Sequence, residues 1–268
     1  MNLLTSITQI REHQAAIRQK RLGYITNFYL DEFKHGIWIE EQVFFCKEYD
    51  CCTFFIKKEH TFWNVFYTCA SIDILLDALI KLREDFPDRE FILDIVGKES
   101  QCSTIVLKLT SIGCSVLTSL VRMSKITDSA DYERNGNVQY ASAADIDLVY
   151  NYLHKYFDEK TEQLPFFKEL TAYYHDDKIL VYKDGGETLG FLIYEGSKTT
   201  NYLRYWFTHP DFRDKKVGSS LLKEFFSPGK DTKRQLFWVI VSNDNAIKRY
   251  RHYGFMEEDM FDYVLSLK

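Results

Sequence analysis

No run in the 268-residue sequence approaches about 18 uninterrupted apolar residues, the length a membrane-crossing helix needs. The amino terminus, Met1-Asn-Leu-Leu-Thr-Ser, soon meets Arg11, Glu12 and Arg18, so it lacks the apolar core of a signal peptide. These two absences give the expectation of a cytoplasmic protein without a membrane partner. An excess of basic residues is missing too: 34 Lys and Arg stand against 39 Asp and Glu, for a net charge of −5. That balance removes the electrostatic case for nucleic acid, and any basic site has to be local. Cysteine is absent from the second half. The six present, Cys46, Cys51, Cys52, Cys69, Cys102 and Cys114, have neither Cys-x-x-Cys nor zinc spacing, so free buried thiols and no metal are expected.

Neither common nucleotide signature occurs, whether Gly-x-x-x-x-Gly-Lys-Ser/Thr or Gly-x-Gly-x-x-Gly. What is present is an ordinary globular composition, 46% hydrophobic and 27% charged, long enough for one large domain or two of ordinary size. Within it, residues 208–217 read Thr-His-Pro-Asp-Phe-Arg-Asp-Lys-Lys-Val and run into Gly218-Ser-Ser-Leu-Leu. An aromatic, β-rich stretch precedes them at 202–207, and Val217, Leu221, Leu222, Phe225 and Phe226 follow at helical spacing. The unit therefore reads as strand, tight turn, helix. A helix starting straight from a buried strand directs unpaired N–H groups and its positive dipole end at one spot, which suits a phosphate. Arg213 can pair with that phosphate, Lys215 and Lys216 add positive potential, and Gly218 leaves the backbone bare.

A second block follows. Residues 236–241 form a continuous apolar run of the kind a fully buried strand has. It leads into Asn243-x-x-Ala246-Ile247-x-x-Tyr250-x-x-x-Gly254-Phe255, a helix that Gly254 can end. Together, Arg213-x-x-Lys216-x-Gly218 and this second stretch resemble the pyrophosphate loop and the second conserved block of the GNAT superfamily of N-acetyltransferases, in the family's order and at its separation. Lys216 stands where the family usually has its first glycine. The resemblance covers about residues 137–268. It implies an α/β (α+β) fold, a mixed central sheet flanked by helices, with acetyl-coenzyme A as co-substrate. By the same resemblance, Phe207, Thr208, Arg213, Lys216, Val217, Gly218, Ser219, Asn243, Ala246 and Tyr250 form the cofactor site.

The first half is expected to carry a helix over 3–22, strands at 38–46, 53–57 and 62–68, a helix from Ile72 behind the cap Ser71, a strand at 91–96, a helix at 103–111 and a strand at 116–123. That order mirrors the second half. A shift of 141 positions brings Gly113 under Gly254, Leu109 under Tyr250, Ile105 under Ala246 and Cys102 under Asn243. The helix is kept and its polar residues are not. Strand 62–68 reaches its helix through Cys69, Ala70 and Ser71, with neither Arg nor Gly. Residues 1–130 therefore resemble a GNAT-like domain without a cofactor site, 137–268 form the acetyltransferase domain, and the polar stretch 128–137 is the linker. The whole resembles tandem GNAT-like acyl-CoA N-acyltransferase folds. In the second domain, Asp145 lies near a helix N-cap, Pro165 opens the next helix, and Asp184-Gly185-Gly186 marks a hairpin between strands 179–182 and 189–194.

Acyl transfer from a thioester to an amine needs a neutral amine, a polarised carbonyl and a protonated leaving thiolate. The resemblance implies that backbone near Phe207 and Thr208 binds the thioester carbonyl and that the phenol of Tyr250 protonates the sulfur. Taken without the motif, Tyr250 reads as an ordinary core tyrosine, Asn243 as a helix N-cap and Arg213 as a solvated charge. Many relatives place a glutamate near the position of Tyr202, and no carboxylate is there; Glu195 at the preceding strand end is the nearest candidate base. The expected activity is N-acetylation of a small-molecule or amino-acid-like primary amine. The alternative is a non-catalytic acyl-coenzyme A binding or interaction protein.

Overall fold

The structure is a computed structural model; it describes residues 1–127, 135–229 and 232–268. Most of the expected linker, 128–134, lies outside the described residues. The chain divides into two compact units, Met1–Leu120 with Asp259–Lys268, and Val121–Glu258.

In the first unit, β1 (Asn2–Leu3), α1 (Ile7–Gln19), β2 (Ile25–Thr26), α2 (Glu32–Glu40), β3 (Phe44–Tyr49), β4 (Cys52–Lys58), β5 (Trp63–Cys69), α3 (Ile72–Asp85), β6 (Phe91–Gly97) and α4 (Glu99–Ser111) precede β7 (Ser115–Ile126), which begins here and ends in the second unit. Side-chain caps set the helix starts: Ser6 accepts from Gln9 N–H, Asp31 from Lys34 and Ser71 from Ile74. The expected strand at 38–46 is corrected. Asp31 starts a helix that carries Trp38 and Ile39 in its last turn, so the β-favouring composition there is overridden and the strand begins only at Phe44. α4 likewise starts earlier than expected, at Glu99. The core gathers Phe54, Val65, Leu79, Leu93 and Leu109 with Leu265 and Leu267 from the end of the chain. All six cysteines are buried and free.

In the second unit, β8 (Val138–Tyr140), α5 (Ala143–Tyr156), α6 (Phe167–His175), β9 (Ile179–Asp184), β10 (Glu187–Gly196), β11 (Thr200–Thr208), a 3-10 turn (Pro210–Lys215), α7 (Val217–Gly229), β12 (Arg234–Ile240) and α8 (Asp244–His252) lead to β13 (Met256–Leu267). Ser142 and Asp145 form a capping box at α5, and Asp145 also takes the Thr188 hydroxyl (3.0 Å) and Lys183 (2.8 Å), tying the helix start to the β9–β10 hairpin. From Asp259 onward β13 belongs to the first unit, where Phe261 to Leu267 pair antiparallel with Gly97 to Phe91.

Each unit contains a parallel strand pair that stops short. β5 meets β6 only from Trp63↔Phe91 to Val65↔Leu93, and β11 meets β12 only from Thr200↔Arg234 to Tyr202↔Leu236. Beyond those points the strands part. In the first unit the parted edge is filled by the chain itself. β2 pairs with β5 (Ile25↔Cys69, Thr26↔Thr68), and Asn27 accepts from Tyr67 N–H (2.6 Å) while donating to Asp94 O on β6 (3.0 Å). Gly23 makes the approach possible: it holds φ +109°, and a Cβ there would run into Ala70 O. In the second unit β11 has only β10 and β12 as neighbours among the described residues, so the corresponding edge at 203–208 is open.

Candidate active site

The open edge leads into the helix start that the motif marks. β11 ends at Thr208, and His209 turns the chain by accepting Asp211 N–H on Nδ1 (3.4 Å), with its Nε2 3.2 Å from the Tyr156 hydroxyl. The 3-10 turn follows, and Lys216 closes it in the left-handed conformation at φ +59°, ψ +17°. That geometry is one that favours glycine. The position requires a positive φ, which glycine adopts freely and lysine at a cost of about 1–2 kcal/mol. The ladder of α7 starts with Ser220 N–H donating to Lys216 O (3.0 Å), which leaves the N–H groups of Val217, Gly218 and Ser219 ahead of it.

The expected cofactor residues fall as follows. Val217 is fully buried, and the Ser219 hydroxyl donates to Lys216 O (2.8 Å). Arg213 is exposed, with no ion pair to any described residue, whereas Lys215 is held by Asp184 at 3.1 Å. Gly218 has a packing reason to be bare: a Cβ there would lie 3.0 Å from both Thr208 Oγ1 and Trp206 Cζ2, so α7 sits directly on β11. Gly190, which sequence reasoning passed over, does the same from β10. A Cβ there would meet Phe207 O at 2.6 Å and Val217 Cγ1 at 2.8 Å. Its signal was a lone glycine inside a strand.

Across the parted strands, Asn243 caps α8 by accepting Ala246 N–H (3.2 Å). The ring of Tyr250 spans both arms of the opening, 4.0 Å between centroids from Phe237 on β12 and 5.4 Å from Trp206 on β11. Burial pushes its phenol well above the usual tyrosine range, against a smaller opposing effect of Arg249, so it stays protonated. No hydrogen bond joins that phenol to another described residue.

A bulge opens at the point of divergence, where Ile193↔Tyr205 is followed by Tyr194↔Leu203 and Arg204 is the extra residue. Arg204 lies against the rings of Tyr202 (5.4 Å) and Tyr205 (5.6 Å). Its Nε is 3.4 Å from Glu195 Oε1 but is not aligned for a hydrogen bond. The Tyr173 hydroxyl donates to that same oxygen. The structure thus places Glu195 opposite Tyr202, in an Arg204–Tyr173 cluster rather than simply in solvent. Tyr205 reaches the other way, donating to Glu162 O (3.2 Å) and Gln163 O (2.8 Å) in the segment between α5 and α6.

The family model for acetyltransferases of the GNAT family matches residues 146–255. Residues 146–255 form a GNAT domain. Solved structures carry the likeness of fold further. A GCN5-related N-acetyltransferase from Sphaerobacter thermophilus aligns at 13% identity over 81% of this chain and 76% of its own, TM-score 0.60. One from Kribbella flavida aligns at 12% identity over 87% and 93%, TM-score 0.57. A tandem GNAT protein from the clavulanic acid biosynthesis pathway aligns at 9% identity over 81% and 78%, TM-score 0.56. The chain has a mixed α/β, tandem GNAT-like fold. No match to it was found among curated proteins. Among the described residues no group of His, Cys, Asp and Glu could hold a metal, and no helix is long and apolar enough to cross a membrane.

Proposed function

We propose that the GNAT domain transfers an acetyl group from acetyl-coenzyme A to a primary amine of a small or amino-acid-like molecule. The observation that carries this reading is the open edge of β11 beside the free first turn of α7. An edge with unpaired backbone groups suits the amide-bearing arm of the co-substrate. The N–H groups of Val217, Gly218 and Ser219 suit its diphosphate, with the exposed Arg213 beside them to pair with it. The backbone near Phe207 and Thr208 polarises the thioester carbonyl, and Tyr250, protonated by burial and set across the opening, supplies the proton to the departing sulfur. Residues 1–130 are the other repeat, whose equivalent edge is filled by β2 and Asn27, so only the second domain, 137–268, takes the co-substrate.

The test is a free-thiol assay of the full chain with acetyl-coenzyme A and a broad set of amines, with product masses read alongside. Thiol release matched by a gain of one acetyl group on an amine is the expected result. Tight binding of coenzyme A with no turnover on any amine would instead leave a binding protein. Arg213→Ala is expected to weaken coenzyme A binding by about 1.5–3 kcal/mol, the usual loss for a hydrogen bond to a charged group; an unchanged titration would remove Arg213 from the site.

A further inference from the structure

Arg204, the extra residue of the bulge, stands two positions past Tyr202, the last residue of β11 that pairs with β12. Its backbone is therefore at the head of the open edge. Its side chain lies on the α6 side of the sheet, because the Glu195 oxygen 3.4 Å from its Nε also takes the hydroxyl of Tyr173 on α6. Tyr205 points to that side as well, into the cluster with Leu153 and Leu170, so the bulge sets two consecutive residues on one side of the strand. Trp206 faces the other way, against Gly218 of α7 and the ring of Tyr250 on α8. A co-substrate seated on α7 and Tyr250 leaves the α6 side to the acceptor. The charges there are paired incompletely. Arg204 Nε is buried without a hydrogen-bond partner, and Nη1 reaches the Tyr202 hydroxyl at a long 3.4 Å. The Arg204 side chain is 18% exposed and that of Glu195 39%, so solvent reaches both. The guanidinium fork is thus poorly used, and a carboxylate matches such a fork bidentately. Burial holds the Tyr173 phenol well above the usual tyrosine range, so it stays a neutral donor to Glu195.

We propose that the acceptor is an α-amino acid bound as its zwitterion, with Arg204 holding the carboxylate and Glu195 the ammonium. The inference rests on the acetyltransferase reading and narrows its acceptor. Adjacent opposite charges on the protein call for adjacent opposite charges on the ligand. A plain amine would answer Glu195 and leave the Arg204 fork as it is, and a plain acid would set a second carboxylate against Glu195. The α spacing follows from the protein's own, since Arg204 Nε and Glu195 Oε1 are 3.4 Å apart. The rings of Tyr202 and Tyr205 lie 5.4 and 5.6 Å from the guanidinium, and Tyr205 is anchored through its hydroxyl to the carbonyls of Glu162 and Gln163. In the transfer the ammonium sheds one proton to water before attack and a second that replaces the proton Tyr250 gives to sulfur; the C–N bond forms as the C–S bond breaks. Release follows from the same charges. The product carries an amide where the ammonium was, so its attraction to Glu195 is gone while its carboxylate remains beside that of Glu195.

The experiment measures kcat/KM of the full chain in the free-thiol assay for α-amino acids, each beside its carboxamide and the amine lacking the carboxylate, and for β-alanine and γ-aminobutyrate to read the charge spacing. At least one α-amino acid is expected to exceed its two uncharged-end counterparts by about 10- to 100-fold, the usual worth of a hydrogen bond to a charged group, and to exceed the longer-spaced acids. Calorimetric titration of the coenzyme A-saturated protein gives a second readout without turnover, in which the amino acid binds more tightly than its carboxamide. Arg204→Gln should bring acid and carboxamide within about threefold of each other, and Arg204→Lys, which keeps the charge and loses the fork, should retain part of the preference. Glu195→Gln should weaken binding of the amino acid but not of its N-acetyl form. Coenzyme A titrations establish that each variant is folded, and the wild-type series decides where one is not. Carboxamides or amines used as well as the acids by wild type, longer-spaced acids outrunning every α-amino acid, or an acid preference that survives in folded Arg204→Gln would overturn the inference alone. No thiol release with any amine, together with no amino-acid binding, would sink the acetyltransferase reading and this inference with it.

Discussion

Tyr250 is the residue on which acid catalysis and plain packing make opposite predictions. Its ring fills the space between Phe237 and Trp206, and a phenyl ring without the hydroxyl would fill it equally well, so Tyr250→Phe leaves the melting temperature nearly unchanged. If the phenol protonates sulfur, turnover falls about 10²-fold while coenzyme A affinity holds; equal rates in a steady-state thiol assay would make it a packing residue. A second residue-scale prediction concerns the first unit. Burial and the nearby Asp94 hold the Asp262 carboxyl well above the usual carboxylate range, and its Oδ1 is buried without a partner. A raised folded-state value contributes stability that is fully present below the unfolded value of about 3.9 and is lost as pH rises toward the folded one. Asp262→Asn should therefore match wild type near pH 4 and exceed it increasingly toward neutrality, by about 1 kcal/mol or more at pH 7. Denaturant titrations at the two pH values decide it, and a pH-independent difference would contradict the assignment.

Among the elements, the strand–turn–helix unit was the most legible in sequence, because each of its signals is local. Pro210 opens the turn, apolar spacing sets α7, and Asn243 caps α8. Two things stayed illegible. The early end of β11–β12 pairing at Tyr202 lies beside a β10–β11 bulge at Arg204 that no residue type announces, and the backbone carbonyl of Glu162 is held by a hydroxyl from a strand residue 43 positions away. Trp38 and Ile39 misled because strand-favouring residues were recruited into a capped helix. The close seat of α7 on β11 gives this scale its prediction. Gly218→Ala must displace either Thr208 or the Trp206 indole, so it should lower stability by about 1–3 kcal/mol and weaken coenzyme A binding together. Lost affinity with an unchanged melting curve would mean that the bare Cα serves the ligand alone.

At the scale of the whole molecule, order along the chain and membership of a unit are different things. The carboxy-terminal strand closes the first unit, where Leu265 and Leu267 are fully buried beside Leu93 and Ile95. Deletion of residues 259–268 should thus unfold the half that carries none of the proposed catalytic groups. Limited proteolysis would show the cuts gathering within 1–120; cuts gathering within 121–258 would contradict the division.

The segment Gly23 to Asn27 has a thermodynamic consequence. A strand delivered by the same polypeptide is present at a fixed local concentration that dilution cannot lower, whereas a diffusing molecule occupies its seam only to the extent that its concentration exceeds its Kd. The two parted seams of this chain should therefore differ in the lifetimes of their amide protons. The Tyr67 amide, held by Asn27, should exchange slowly at every coenzyme A concentration. Amides on the free edge of β11 should exchange quickly in the absence of coenzyme A and slow about a hundredfold at 100 times Kd, equivalent to about 2.7 kcal/mol. Under the proposed function, one half of the molecule carries its ligand in its own covalent chain, and the other half would borrow one from solution.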